Sequence, residues 1–199
     1  DAGVVHENVE LAVRHRELIG EVPHRAEIRE VEPHGACVGA RGEATERVTD
    51  LHLAHFDPNT AERGPQEIAL VEALRQADGV IIATPSYHGS MSGMVKNALD
   101  YTEDLRRDAR PYLESRAVGC IVCAEGPQAM GATLAALRAI VHALRGWPTP
   151  YGAVVNTGGP AFDAGPQGPD PAVVQQLELV AAQVIEFARM RDALAAKAG

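Results

Sequence analysis

The segment 78–101, Asp-Gly-Val-Ile-Ile-Ala-Thr-Pro-Ser-Tyr-His-Gly-Ser-Met-Ser-Gly-Met-Val-Lys-Asn-Ala-Leu-Asp-Tyr, restricts the fold more than any other part of the chain. An apolar run from Val80 to Ala83 stops at Thr84-Pro85. Small and polar residues follow from Ser86 to Gly93, and apolar residues then recur at helical spacing at Met94, Val95, Ala98 and Leu99. That order predicts strand, loop, helix. In an open parallel sheet, ligands bind at the carboxyl ends of the strands. The loop is therefore a candidate ligand loop, with Gly89 and Gly93 permitting close backbone approach.

The rest of 48–199 repeats the alternation. A helix is expected over Pro65–Gln76, a buried strand over Ala117–Ala124, and a second Gly-containing loop at Glu125-Gly126-Pro127-Gln128-Ala129-Met130-Gly131. A helix over Ala132–Leu144, a last strand over Gly152–Asn156, a Gly/Pro/Asp loop that is either a lid, an oligomer contact or a linker, and a closing helix from Pro171 complete it. Alternating helices and strands predict an α/β fold with a parallel sheet. The chain has 199 residues, which suits one domain. Its formal net charge of -9 argues against nucleic acid or an anionic membrane as partner. The opening Asp1-Ala2-Gly3-Val4-Val5-His6 lacks a basic stretch and a long apolar core, so a cytoplasmic protein without signal peptide is expected. Cys120 and Cys123 form C-x-x-C, but residues three apart on a strand face opposite ways, so core packing is expected rather than a metal or disulfide. The scattered histidines His6, His15, His24 and His34 lack ligand spacing, and no metal site is expected. No Walker loop, nucleophile elbow or H-E-x-x-H occurs.

Thr84-Pro85-Ser86-Tyr87-His88-Gly89-Ser90, with Gly93 and Lys96-Asn97-Ala98-Leu99-Asp100-Tyr101, resembles the second flavin-binding loop of the NADPH-dependent FMN reductase family. The resemblance extends over about 48–199. It implies a flavodoxin-like three-layer sandwich in a single domain. It also implies FMN as cofactor, NADPH or NADH as hydride donor, and a small-molecule electron acceptor such as a flavin, quinone or azo compound. A homodimer or homotetramer, with the helix 93–104 in the dimer contact, is implied in the same way. By resemblance, Thr84, Pro85, Ser86, Tyr87, His88 and Gly89 hold the flavin ring, and Tyr87 flanks it. Glu125, Gly126, Gln128 and Gly131 belong to a loop facing the pyrimidine side. No catalytic acid, base or nucleophile is assigned, because the cofactor carries the chemistry. Lys96 and Asp100 read as surface or interface charges, and Arg106, Arg107 and Arg110 as either nucleotide-phosphate contacts or a solvated charge run.

The family pattern is not legible in 1–47. Its members open with an apolar strand and a Gly-Ser-x-Arg loop whose amides bind the FMN phosphate. Here Val4-Val5 is the only apolar start, a helix is expected over Glu7–Ile19, a short strand over Ala26–Val31, and a loop over Gly35–Gly42. A divergent N-terminus, a late start and an upstream frameshift are competing explanations. Two function classes follow: an NAD(P)H-dependent FMN reductase, and a flavodoxin-like binding or interaction module without turnover.

Overall fold

The structure is a computed structural model that describes residues 10–14, 45–48, 53–159, 161 and 170–198. The backbone at 79–87 is strand β3, and its neighbour β5 (Ala117–Ala124) is parallel to it from Gly79↔Ala117 to Pro85↔Cys123. Both are apolar almost throughout because helices cover both faces of a parallel sheet. Outside β5, the short strands β6 (Trp147–Pro148) and β7 (Ala153–Asn156) pair with its two halves, both parallel. On the other side of β3 lie β1 (Glu10–Arg14) and then β2 (Thr45–Val48). A two-residue strand, β4 (Ser90–Met91), folds back on β3.

One layer of helices covers the face formed by Val80, Ile82, Val118 and Cys120. It contains α1 (Pro65–Gln76), α2 (Gly93–Asp100) with a following 3-10 turn (Tyr101–Leu105), and α3 (Pro127–Ala143). The opposite face, with Ile81, Ala83, Ile121, Cys123, Ala153 and Val155, packs on α4 (Pro171–Ala198) through Val173, Leu177, Val180 and Ala181. The helix approaches closely because β3 and β5 carry glycines beneath it. A Cβ at Gly119 would run into Val180 and one at Gly79 into Val184. Cys120 and Cys123 thus face different layers, and burial pushes the Cys120 thiol up to about 12.

Two expectations are corrected. The expected helix over 7–19 is a strand at Glu10–Arg14, which takes a central place in the sheet. The sheet is mostly parallel, as expected, and its N-terminal part is atypical: β1 is antiparallel to both β2 and β3, and the short β4 to β3. Since β1 opposes both neighbours, β2 runs the same way as β3. Finally, α3 starts at Pro127, not at 132, so Gln128 and Gly131 are helical. Proline suits a first helical position and overrode the loop reading of its Gly-rich surroundings. The expected elements at 26–31 and 35–42, and the four histidines before 35, lie outside the described residues.

Candidate functional site

The loop after β3 is a hairpin rather than an irregular loop. β3 continues through Pro85 and Ser86 to Tyr87, which pairs with Ser90 across a two-residue turn. Both turn residues have positive φ, 53° at His88 and 81° at Gly89. That is the pattern of a type I′ turn, whose twist matches that of the strands it joins. Thr84, buried at the base, accepts a hydrogen bond from the Ser92 amide at 3.1 Å and donates to the Pro85 carbonyl at 2.9 Å. Ser92 in turn caps α2, its hydroxyl accepting from Val95 N at 3.2 Å. The turn and the start of α2 are therefore one hydrogen-bonded unit. Tyr87 is left with 36% of its surface exposed.

The second loop shrinks to Glu125-Gly126, because α3 begins at once with Pro127. Gly126 is the N-cap and supplies no side-chain cap. First-turn amides of a helix have no intrahelical partner, so Gln128 and Ala129 present N–H groups at this edge. The neighbouring turn after β7 adds to it: Thr157 N donates to Ala124 O at 3.0 Å, and Gly158 N to Asn156 Oδ1 at 2.9 Å. A Cβ added at Gly126, Gly131 or Gly159 would meet nothing within 4 Å.

The structure brings the two sequence-derived loops together. The Ser86 hydroxyl lies 2.6 Å from Thr133 Oγ1 and donates to Ala129 O at 3.3 Å, joining the hairpin to the first turns of α3. Thr133 is fully buried in the otherwise apolar stripe Met130, Leu137 and Val141 of α3. A lone hydroxyl in an apolar helix stripe marks Thr133 as needing a partner, but nothing local says which. The turn 157–159 had no comparable signal, since its residues fit a linker equally well.

Other motif residues support the site rather than line it. Asn97 clamps the segment after β2, accepting from Phe56 N at 2.9 Å and donating to Ala54 O at 2.8 Å. The Tyr101 hydroxyl donates to the same carbonyl at 2.9 Å, and Glu67 accepts from Ala54 N at 2.8 Å. Burial, together with the Glu67 carboxylate, holds the Tyr101 phenol above its ordinary pKa. Phe56 meets Tyr101 edge to face at 5.2 Å, with Arg63 over both rings and hydrogen-bonded to Asp104. Lys96 pairs with Asp100 on the exposed face of α2. Of the three arginines, Arg110 binds the Ala77 carbonyl and neighbours Asp78, just before β3. That is the edge opposite Thr84–Gly89. Arg106 pairs with Glu103, and Arg107 is exposed. Arg116, fully buried, donates to the carbonyls of Ala77, Tyr112, Glu114 and Arg75 at the same far edge. Burial, then repulsion from Arg110 and Arg191, lowers its pKa to about 10.

An exposed aromatic, the first-turn amides of α3 and glycines beside open space share one sheet edge, a surface and donors of the kind a flavin ring takes. The phosphate half has no counterpart among the described residues. Glu10 at the start of β1 pairs with Ala83, near the ligand edge, and Val13 pairs with Val80. β1 therefore ends, at Arg14, at the edge away from the hairpin.

The fold is that of a flavodoxin-like α/β protein. Solved structures share this architecture. The flavoenzyme NAD(P)H:(acceptor) oxidoreductase FerB from Paracoccus denitrificans has a TM-score of 0.56 at 22% identity, covering 69% of this chain and 76% of that one. An oxidoreductase from Corynebacterium diphtheriae has a TM-score of 0.52 at 20% identity, covering 66% of each. The sequence pattern of the NADPH-dependent FMN reductase family matches residues 24–160, and the chain belongs to that family. An FMN-dependent NADPH-azoreductase of Staphylococcus aureus is 40% identical over 107 residues, 54% of this chain and 53% of the relative. A quinone reductase of Escherichia coli K12 is 42% identical over 59 residues, 29% of this chain and 31% of the relative. The chain thus spans about half or less of the length of these curated relatives. Among the described residues, no helix is long and apolar enough to cross a membrane, and no group of three or more His, Cys, Asp or Glu is placed to hold a metal.

Proposed function

We propose that this chain is an NAD(P)H-dependent, FMN-using oxidoreductase that passes electrons to a small acceptor such as a flavin, a quinone or an azo compound. One observation carries the reading: two loops, assigned to the flavin ring from sequence, are hydrogen-bonded to each other at one sheet edge through Ser86 and α3. Bound FMN would supply the chemistry, accepting hydride from the nicotinamide and passing electrons onward. The protein's part is to bind and orient. Tyr87 flanks the ring, and backbone of Thr84–Gly89 forms its seat. The amides of Gln128 and Ala129 lie where ring carbonyls would accept hydrogen bonds and where negative charge would be stabilised. Glu125, Gly126 and Gly131 complete that side. A single domain acting as a homodimer or homotetramer in the cytoplasm belongs to the same reading.

The direction of β1 favours a second reading, a flavodoxin-like module that binds without turnover. NADPH consumption by the purified protein with and without added FMN separates the two. FMN-dependent consumption is the expected result. A protein that stays colourless and oxidises no NADPH after FMN is added rules the first reading out. Sedimentation of the same sample reports the assembly, and a monomer at every concentration removes the oligomer from the proposal.

A further inference from the structure

Ser86 stands at the last paired positions of β3, one residue before Tyr87, and Thr133 stands two turns into α3. Their hydroxyl oxygens are 2.6 Å apart, which is a short, well-formed O–H···O distance. The direction of the hydrogen bonds follows from counting protons. Ser86 has one O–H, and Ala129 O, 3.3 Å away, can only accept. If Ser86 donates there, Thr133 must donate to Ser86. The chain of bonds is Thr133 O–H to Ser86 Oγ, then Ser86 O–H to Ala129 O. Ala129 is also the residue four before Thr133, so its carbonyl is the acceptor to which a helical threonine would otherwise bond back.

We infer that Ser86 and Thr133 form a positioning latch, setting the distance between the Tyr87 hairpin and the free amides at the start of α3. The inference rests on the flavin reading above and deepens it. Neither hydroxyl touches the ring in this assignment. They act through the two elements that do. β3 reaches this edge from the sheet and α3 from the helical layer, so their relative placement at the ring is set by contacts of this kind. A latch differs from ordinary packing in one respect. Removing Ser86 Oγ lets Thr133 turn to Ala129 O, so no buried hydroxyl is stranded, but the tie between hairpin and helix is gone.

The test is an FMN titration, followed by flavin fluorescence and by the visible circular dichroism of the bound flavin. It compares wild type, Ser86→Ala, Ser86→Thr and Thr133→Val. Ser86→Ala is expected to weaken FMN about five- to tenfold, the range of one neutral hydrogen bond, and to alter the dichroism of the remaining bound flavin. Its thermal midpoint without flavin should stay within about 3 °C of wild type. Ser86→Thr keeps the hydroxyl and should restore both affinity and spectrum. Thr133→Val keeps the volume and should weaken FMN to a similar degree. Wild type that binds FMN, with Ser86→Ala equal to it in affinity and dichroism, overturns the latch alone. Wild type that does not bind FMN overturns the flavin reading, and the latch with it.

Discussion

His88 is an L-residue in a left-handed backbone conformation, with φ of 53°, beside Gly89 at 81°. A β-branched residue tolerates that region poorly. His88→Val should therefore destabilise the protein by about 1–2 kcal/mol, measured by chemical denaturation, while His88→Gly should cost little or nothing. An imidazole held in place by side-chain contacts would give the reverse order. Cys120 offers a pH-dependent check. Burial raises its pKa from 9.0 to about 12 in the folded chain. Between those values the unfolded chain ionises at this position and the folded chain does not. Stability contributed here is intact below about pH 9 and declines as pH rises toward 12. Cys120→Ala should flatten that alkaline decline, and native Cys120 should resist alkylation at neutral pH. Rapid alkylation of the native thiol would mean that the Cys120 side of the sheet is open.

At the scale of elements, the Asn97 clamp is the contact with the clearest consequence. Both ends of its amide are used, on Phe56 N and Ala54 O. Asn97→Ala leaves two half-buried backbone groups without this partner, which should cost about 1–3 kcal/mol by denaturant titration. Tyr101 and Glu67 still hold Ala54, so the fold should survive. A change below a few tenths of a kcal/mol would show that the clamp is redundant. The boundaries of α1 and β5 were legible because strong punctuation borders them: Pro65 and Asp78-Gly79 for the helix, Arg116 and Glu125-Gly126 for the strand. The start of α3 was not. Its first turns hold Met130 among Gly126, Pro127 and Gly131, which read as a turn, so one buried apolar residue is too little to show a helical period there. The hairpin was misread as loop for a related reason. A two-residue turn with His at its first position lacks the usual Asn-Gly or Asp-Gly signal. The roles of Thr133 and Asn97 depend on partners 47 and 41 residues away, beyond the reach of local pattern.

For the whole molecule, the α/β alternation of 48–199 was readable because β3, β5 and β7 are built on apolar runs and each helix has an apolar face. The place of the N-terminal segment was not. Glu10-Leu11-Ala12-Val13-Arg14 is too short an apolar run between charges to separate strand from helix, and its position is set by pairing on both sides with β2 and β3. Its reversed direction is the main departure from an all-parallel sheet. The proposed function requires a flavin ring at the edge formed by Thr84–Gly89 and Glu125–Gly131. Titration of wild type and Tyr87→Ala with FMN measures it most directly. Saturable binding by wild type is expected, with affinity reduced about tenfold or more in Tyr87→Ala, in line with the loss of an aromatic contact and its buried area. Equal affinity and identical flavin spectra for the two proteins would contradict the assignment.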